Sequence, residues 1–134
     1  MKFAYPVIFT ESGKDYISYI PDFDMYSQGS SLAEAIETAR DEIGLLGIDC
    51  IDDGEELPTP SNLKEIQALH PNDIVTLVDI DFDEYRKAND TKSVRRNVTL
   101  PAWLDYEATK SKINVSAVLK DALISALNLT PRYK

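Results

Sequence analysis

The sequence predicts an α+β chain built as two modules, a small β-β-β-α-β unit followed by a strand-helix-helix module. Three observations carry that expectation. The first 80 residues interleave short β-branched and aromatic runs with one long 3.6-residue periodicity, the pattern of a helix laid on a mostly antiparallel sheet. The stretch Ser93–Leu127 starts as an alternating strand, SVRRNVTLP, and runs directly into two amphipathic helical patterns. Charge divides at the same place. Residues 1–90 hold 20 Asp/Glu against 6 Lys/Arg, a balance of −14, whereas residues 91–134 hold 3 against 8, a balance of +5. Such asymmetry points to two modules with different partners, the second of which can seek a polyanion.

Taken in order, FAYPVIF (3–9) and YISYI (16–20) read as a hairpin closed by TESGKD, with Gly13 in the turn. Pro6 suggests an edge strand or a bulge, because proline cannot donate to a ladder. A turn at IPDFDM leads to a third short strand ending near Gly29. Residues 31–46 are the clearest helix, with Ser31 as cap, Glu34 completing a capping box, and Leu32, Ile36, Ala39, Ile43 and Leu46 on one face. Gly44 and Gly47 are expected to fray it into the acidic loop DCIDDGEE. Pro58 and Pro60 enforce an extended segment before a short helix, capped by Ser61, that ends near Leu69. IVTLVDI (74–80) is the most strand-like run. The boundaries are then 1–85 for the first module, 86–92 for a polar linker, and 93–134 for the second.

In the second module Pro101 suits a helix start, with Trp103 expected in the core, and Lys110–Lys112 forms a polar break. Asn114 caps a last helix whose Val118, Leu119, Ala122, Leu123, Ala126 and Leu127 make an apolar face too broad for one short neighbour. A lone short strand is marginal in water, and no second strand follows it. The economical solution is pairing with its own copy across a two-fold axis. The resulting ribbon would put Arg95, Asn97 and Thr99 of each chain on one face, a shape that fits the DNA major groove. Arg96 has the parity of Val94, Val98 and Leu100 and is expected to reach a phosphate from the buried side. The competing reading of the triad is the solvated edge of an ordinary dimer.

Residues 93–128 resemble the ribbon-helix-helix family of DNA-binding proteins, through the alternating strand, Leu100-Pro101, and NVSAVLKDAL after a short turn. The resemblance implies base contacts from Arg95, Asn97 and Thr99 and a phosphate anchored on Asn114, Val115 and Ser116. A helix amino end, with its free N–H groups and dipole, suits that role. The amino-terminal part is similar to the HicB antitoxin family, through YPVIF, YISYIPDFDMYSQGSSLAEAIETARDEI, ELPTPSNL and Val78-Asp79. Many members carry Gly-Cys after the Pro-Asp step, where this chain has Asp24-Met25-Tyr26.

The resemblance implies a degenerate ribonuclease H-like first domain that binds HicA, a small basic RNA-cleaving toxin, together with repression of the chain's own operon. The contact is expected at Asp22, Phe23, Asp24, Met25 and Tyr26, where aromatics interleave with carboxylates. The alternative is that Phe23 and Tyr26 are sheet core. For function as a whole, the alternative is a dimeric ribbon-helix-helix regulator whose first domain senses a ligand. Homodimerisation through residues 93–128 is expected, with assembly to a tetramer left open.

No enzyme is expected. The first strand lacks the carboxylate that a two-metal nuclease needs, and Asp79, Asp81 and Asp83 read as an exposed acidic rim on one strand face. His70 has no identifiable nucleophilic partner. One cysteine, Cys50, and one histidine leave no thiolate zinc site, so no metal or cofactor is expected. The single cysteine, the absence of a leader and the lack of an apolar run of roughly 18–20 residues point to a cytoplasmic protein.

Overall fold

In the computed structural model, residues 1–131 are described. The chain divides into two compact units, Met1–Ala88 and the segment from Asn89 onward. In the first, strands β1 (Lys2–Ser12), β2 (Asp15–Ile20), β3 (Met25–Gly29) and β4 (Ile74–Asp81) form an antiparallel sheet in the order β3-β2-β1-β4. The β1–β2 hairpin is longer than its sequence suggests. Ser12 pairs with Asp15, which leaves only Gly13 and Lys14 in the loop, and Gly13 takes φ +64°. A two-residue hairpin loop needs such a left-handed position, and glycine occupies it without strain.

Pro6 is not on an edge strand, because β1 runs between β2 and β4. It sits opposite Leu77 of β4, and the pairing with β2 begins only at Ile8. On one side the strand is therefore locally unpaired at Pro6, which is how a residue without an N–H is accommodated.

Alternation along the strands sends Tyr5, Val7, Phe9, Ile20, Val78 and Ile80 to one face. Helix α1 (Leu32–Asp52) covers it with Ala35, Ala39 and Ile43. Each fully buried Val, Ile or Phe is worth about 1.5–3 kcal/mol over its exposed form, so this face supplies most of the unit's stability. Among the described residues the one buried polar side chain, Ser18, is satisfied across the ladder by Ser27, Oγ to Oγ 2.6 Å. At the start of α1, Ser31 Oγ accepts the Glu34 N–H at 3.1 Å. The Glu34 carboxylate takes the Ser30 hydroxyl, so the reciprocal half of the expected capping box is replaced by a neighbouring serine.

Gly44 and Gly47 do not fray α1, which continues to Asp52. They are buried, and they exist to admit rings. A Cβ on Gly44 would lie 2.5 Å from the Tyr85 ring, and one on Gly47 would lie 2.1 Å from the Phe82 ring. Both rings belong to helix α3 (Phe82–Asn89), which occupies residues read from sequence as a strand end and a linker. Asp81 starts that helix by accepting the N–H groups of Asp83 and Glu84. Tyr85 Oη donates to Asp41 and Arg86 pairs with Asp52, each across to α1. The short helix α2 (Leu63–Leu69) is capped by Asn62, not Ser61, through the N–H groups of Lys64 and Glu65.

The second unit holds α4 (Ala102–Lys110) and α5 (Val115–Ala126), with Pro101 before the first and Asn114 capping the second by accepting the Ala117 N–H at 3.1 Å. Residues 93–100 carry no strand or helix in the single chain. None of the described residues after Asn89 is buried. Trp103, expected in a core, is 68% exposed, because this segment alone encloses no core for it to join.

The glycine packing yields a test. Gly47→Ala should destabilise the protein although alanine is the better helix former by about 1 kcal/mol. The Phe82 ring is fully buried, so it must shift within the core to admit the methyl. Overpacking of this kind costs about 1–3 kcal/mol. A fall in the denaturant midpoint, with helical content retained, is the expected outcome.

Candidate functional site

Two surfaces follow from this architecture. On the acidic unit, Pro21 fixes the start of a single 3-10 turn, Pro21–Phe23, from which the chain reverses into β3. The reversal falls on Asp24, which adopts φ +47° and closes the turn with its N–H on the Pro21 carbonyl at 3.2 Å. Aspartate tolerates this left-handed conformation better than a β-branched residue would.

The five residues singled out here from sequence do different things. Asp22 is turned to the 57–62 segment, where its carboxylate accepts both the N–H of Ser61, at 3.1 Å, and the Ser61 hydroxyl. Phe23 meets Tyr5 edge to face, centroids 5.0 Å apart, and packs against the core. Met25 is half-buried at the start of β3. Asp24 and Tyr26 are exposed, Tyr26 at 66%.

Tyr26 pairs across the ladder with Tyr19, and their ring centroids are 4.5 Å apart. The Tyr19 hydroxyl donates to Asp24 at 2.8 Å. The hydrogen bond to that carboxylate, with some desolvation, raises the Tyr19 pKa, so the phenol stays a donor. Sequence reasoning missed Tyr19. The signal was present in YISYI, whose alternation puts Tyr19 on the opposite face from Ile20, but only the register shows that it meets Tyr26. Tyr5, on the covered face, donates to the Pro58 carbonyl at 2.9 Å, and burial pushes its phenol up to about 12.

The second surface lies in the basic segment. Val94, Arg96, Leu119, Leu123, Ile124 and Leu127 are among the residues lining an open groove of about 790 Å³, and Arg95 and Ser116 reach it as well. Arg95, Asn97 and Thr99 are all exposed. Asn114 has its amide oxygen committed to the Ala117 N–H, while Val115 and Ser116 form the exposed first turn of α5.

The acidic run near β4 does not form the single strand face expected of it. Asp79 pairs with Arg40 at 3.1 Å, Asp81 caps α3, and Asp83 lies in α3, bonded to the amino terminus. For Asp81, burial acts upward, but the Glu84 and Asp83 N–H groups and the terminal ammonium prevail and lower its pKa. Among the described residues no group of three or more His, Cys, Asp or Glu is arranged to hold a metal ion. His70 Nδ1 lies 3.6 Å from Asp73. Among the same residues no helix is long and apolar enough to cross a membrane.

Residues 5–123 match the profile of the HicB-like antitoxins of bacterial toxin-antitoxin systems. The chain belongs to this family. Similar proteins extend the likeness over nearly its whole length. A toxin-antitoxin complex from Streptococcus pneumoniae contains a chain of the same fold, with a TM-score of 0.60 at 22% identity over 94% of this chain and 99% of that one. The antitoxin HicB of Burkholderia pseudomallei aligns with a TM-score of 0.53 at 26% identity, covering 96% and 97% of the two chains. An uncharacterized 14.9 kDa protein of Haemophilus phage HP1 is 29% identical over 103 residues, 75% of this chain and 74% of its own length.

In this HicB-like chain the Asp22–Ser61 pair is a fastener between the 3-10 turn and the segment leading to α2. Asp22→Ala should remove two hydrogen bonds to a charged acceptor, costing about 1.5–3 kcal/mol. A lower thermal midpoint, matched by Ser61→Ala in part, is the expected result.

Proposed function

We propose that this HicB-like antitoxin neutralises a HicA-type mRNA-cleaving toxin by direct binding and represses its own operon as a ribbon-helix-helix dimer. It acts by covering surfaces and carries out no catalysis of its own. Family membership supports the antitoxin role. The observation that carries the DNA-binding half is the state of residues 93–129. An alternating strand sequence and a leucine-rich helix sit together with no buried residue between them. A second copy would complete that core, pair strand with strand, and place both sets of Arg95, Asn97 and Thr99 on one face. The amino ends of the two α5 helices, at Asn114, Val115 and Ser116, would then clamp phosphates on either side. The net charge of +5 in residues 91–134 suits that role, as the −14 in residues 1–90 suits a cationic toxin.

Co-purification decides the antitoxin reading against a ligand-sensing regulator. A basic partner of roughly 100 residues or fewer, the size of a minimal domain, should accompany the chain from its native cells. Recovery of the chain without such a partner, and without one encoded beside it, would defeat the reading.

Two further outcomes are expected. Stability of residues 93–128 should rise with protein concentration, since the core is shared between copies. A compact monomer in sedimentation at micromolar concentration contradicts this. On operator DNA, Arg95→Ala and Asn97→Ala should each cost about 1–3 kcal/mol of base discrimination, and Thr99→Ala less. Lys110→Ala or Lys112→Ala should instead weaken all sequences alike and lower the salt slope by about one contact. Toxin binding should survive all five changes, measured by titration of the same variants with the co-purified partner.

A further inference from the structure

Tyr19 and Tyr26 lie side by side on neighbouring strands, and β3, which carries Tyr26, is an edge of the sheet. Both alternate away from the face that α1 covers, since their strand neighbours Ser18 and Ile20 point to the core. Ile17, two residues before Tyr19 on the same strand face, is exposed as well. A tyrosine left two-thirds exposed beside a second ring is an uncommon use of aromatic area in a domain that buries Tyr5 completely. Asp24, held in a left-handed conformation at the turn, puts its carboxylate on the Tyr19 hydroxyl and so at the border of the ring pair. A carboxylate has acceptor capacity beyond that one bond.

We infer that this two-tyrosine ledge, with Asp24 at its rim, is the anchor for the cationic toxin, taking an arginine or lysine side chain flat on the rings with its head at Asp24. This rests on the antitoxin reading and sharpens it, because it assigns the contact to Tyr19, Asp24 and Tyr26 and withdraws Asp22 and Phe23 into structural roles.

Three physical arguments select this occupant. Guanidinium and ammonium groups are attracted to the faces of aromatic rings, most strongly where the contact is desolvated. Interfaces are anchored by a few aromatic residues with polar groups at their rim, and here two exposed rings have the Asp24 carboxylate at their border. A second copy of the chain is the wrong occupant, because the ledge sits on a module with a balance of −14 over residues 1–90, and apposing two such surfaces brings like charges together.

The test uses the full-length chain and the co-purified toxin, with binding followed by surface-immobilised kinetics. Tyr26→Ala should raise Kd at least tenfold, mainly through faster dissociation, and Tyr26→Phe should restore it, since the ring face and not the hydroxyl carries the contact. Asp24→Asn should slow association and flatten its salt dependence. Leu69→Ala, which trims another highly exposed side chain, should change nothing. Circular dichroism confirms that each variant is folded, and both Tyr26 variants lie on an edge strand whose core-facing neighbours are untouched. Wild-type kinetics in folded Tyr26→Ala would overturn the ledge while leaving the antitoxin reading intact. A shift in the mass of the chain alone, with toxin binding unchanged, would show a contact between copies and would overturn it too. If the wild-type chain binds no toxin at all, it is the antitoxin reading that fails.

Discussion

The close approach of α1 to its neighbours is the constraint on which the first unit depends. A helix can come near a sheet, and admit another helix's rings, only where its own side chains are small. Here Ala35, Ala39, Gly44 and Gly47 are buried in sequence order along the helix. At one end the partner gives way as well. A Cβ on Gly29 of β3 would stand 2.4 Å from the Ala35 nitrogen, so the edge strand and the first turn of α1 touch backbone to backbone. At the other end the rings of Phe82 and Tyr85 take the space that side chains on Gly47 and Gly44 would fill. The sheet's covered face, the exposed tyrosines on its other face and the docked position of α3 all follow from where α1 can lie.

This explains which parts of the fold could be read from sequence. The four alternating strands of the first unit, the Ser31 and Asn114 caps and the proline-bounded start of α4 need only local chemistry and match the structure. The alternating segment 93–100, expected as a strand, has no partner strand in the single chain and forms none. Glycines within a helical pattern are ambiguous locally. Gly44 and Gly47 weaken a helix by propensity alone, and only the arrival of rings from residues 82 and 85 makes them necessary. The same distance in sequence hid α3. RKAN looks polar enough for a linker, but Phe82 buries its ring, and Arg86 and Tyr85 find carboxylates on α1 that lie more than 30 residues away. Ser61 looks like a cap in sequence for a similar reason, since its partner is Asp22, 39 residues earlier.

The candidate site was legible in part. In sequence, Asp22 to Tyr26 is a mixture of aromatic and acidic residues, which is a composition and not a geometry. The fold sorts that mixture by strand parity and by one left-handed residue, sending Phe23 inward and Tyr26 outward. The pairing partner Tyr19 comes from β2, so the ledge exists only once the β2–β3 register is set. The basic segment shows the opposite case. Its apolar pattern is plain in sequence, but none of its described residues is buried within the segment, and in the proposed dimer a second copy would supply the missing cover.

The charge division gives the two units different relations to salt and to stability. Beyond a Debye length, about 8 Å at physiological ionic strength, an exposed carboxylate gains little from a partner, so in the proposed toxin complex the ledge's charge would work on encounter and its rings on retention. In the proposed ribbon-helix-helix dimer the basic segment is coupled to assembly instead. On that reading Arg95, Asn97 and Thr99 would reach one face only when two strands pair, and the strands would pair only when the leucine faces of two α5 helices are covered. Losing apolar area in that shared core, as in Leu123→Ala, would therefore weaken DNA binding without touching any residue near the DNA. The loss would diminish at high protein concentration, where mass action refills the dimer. An effect of that form separates a residue that builds the ribbon from one that reads the operator, since a reader's defect persists at any concentration that saturates the dimer.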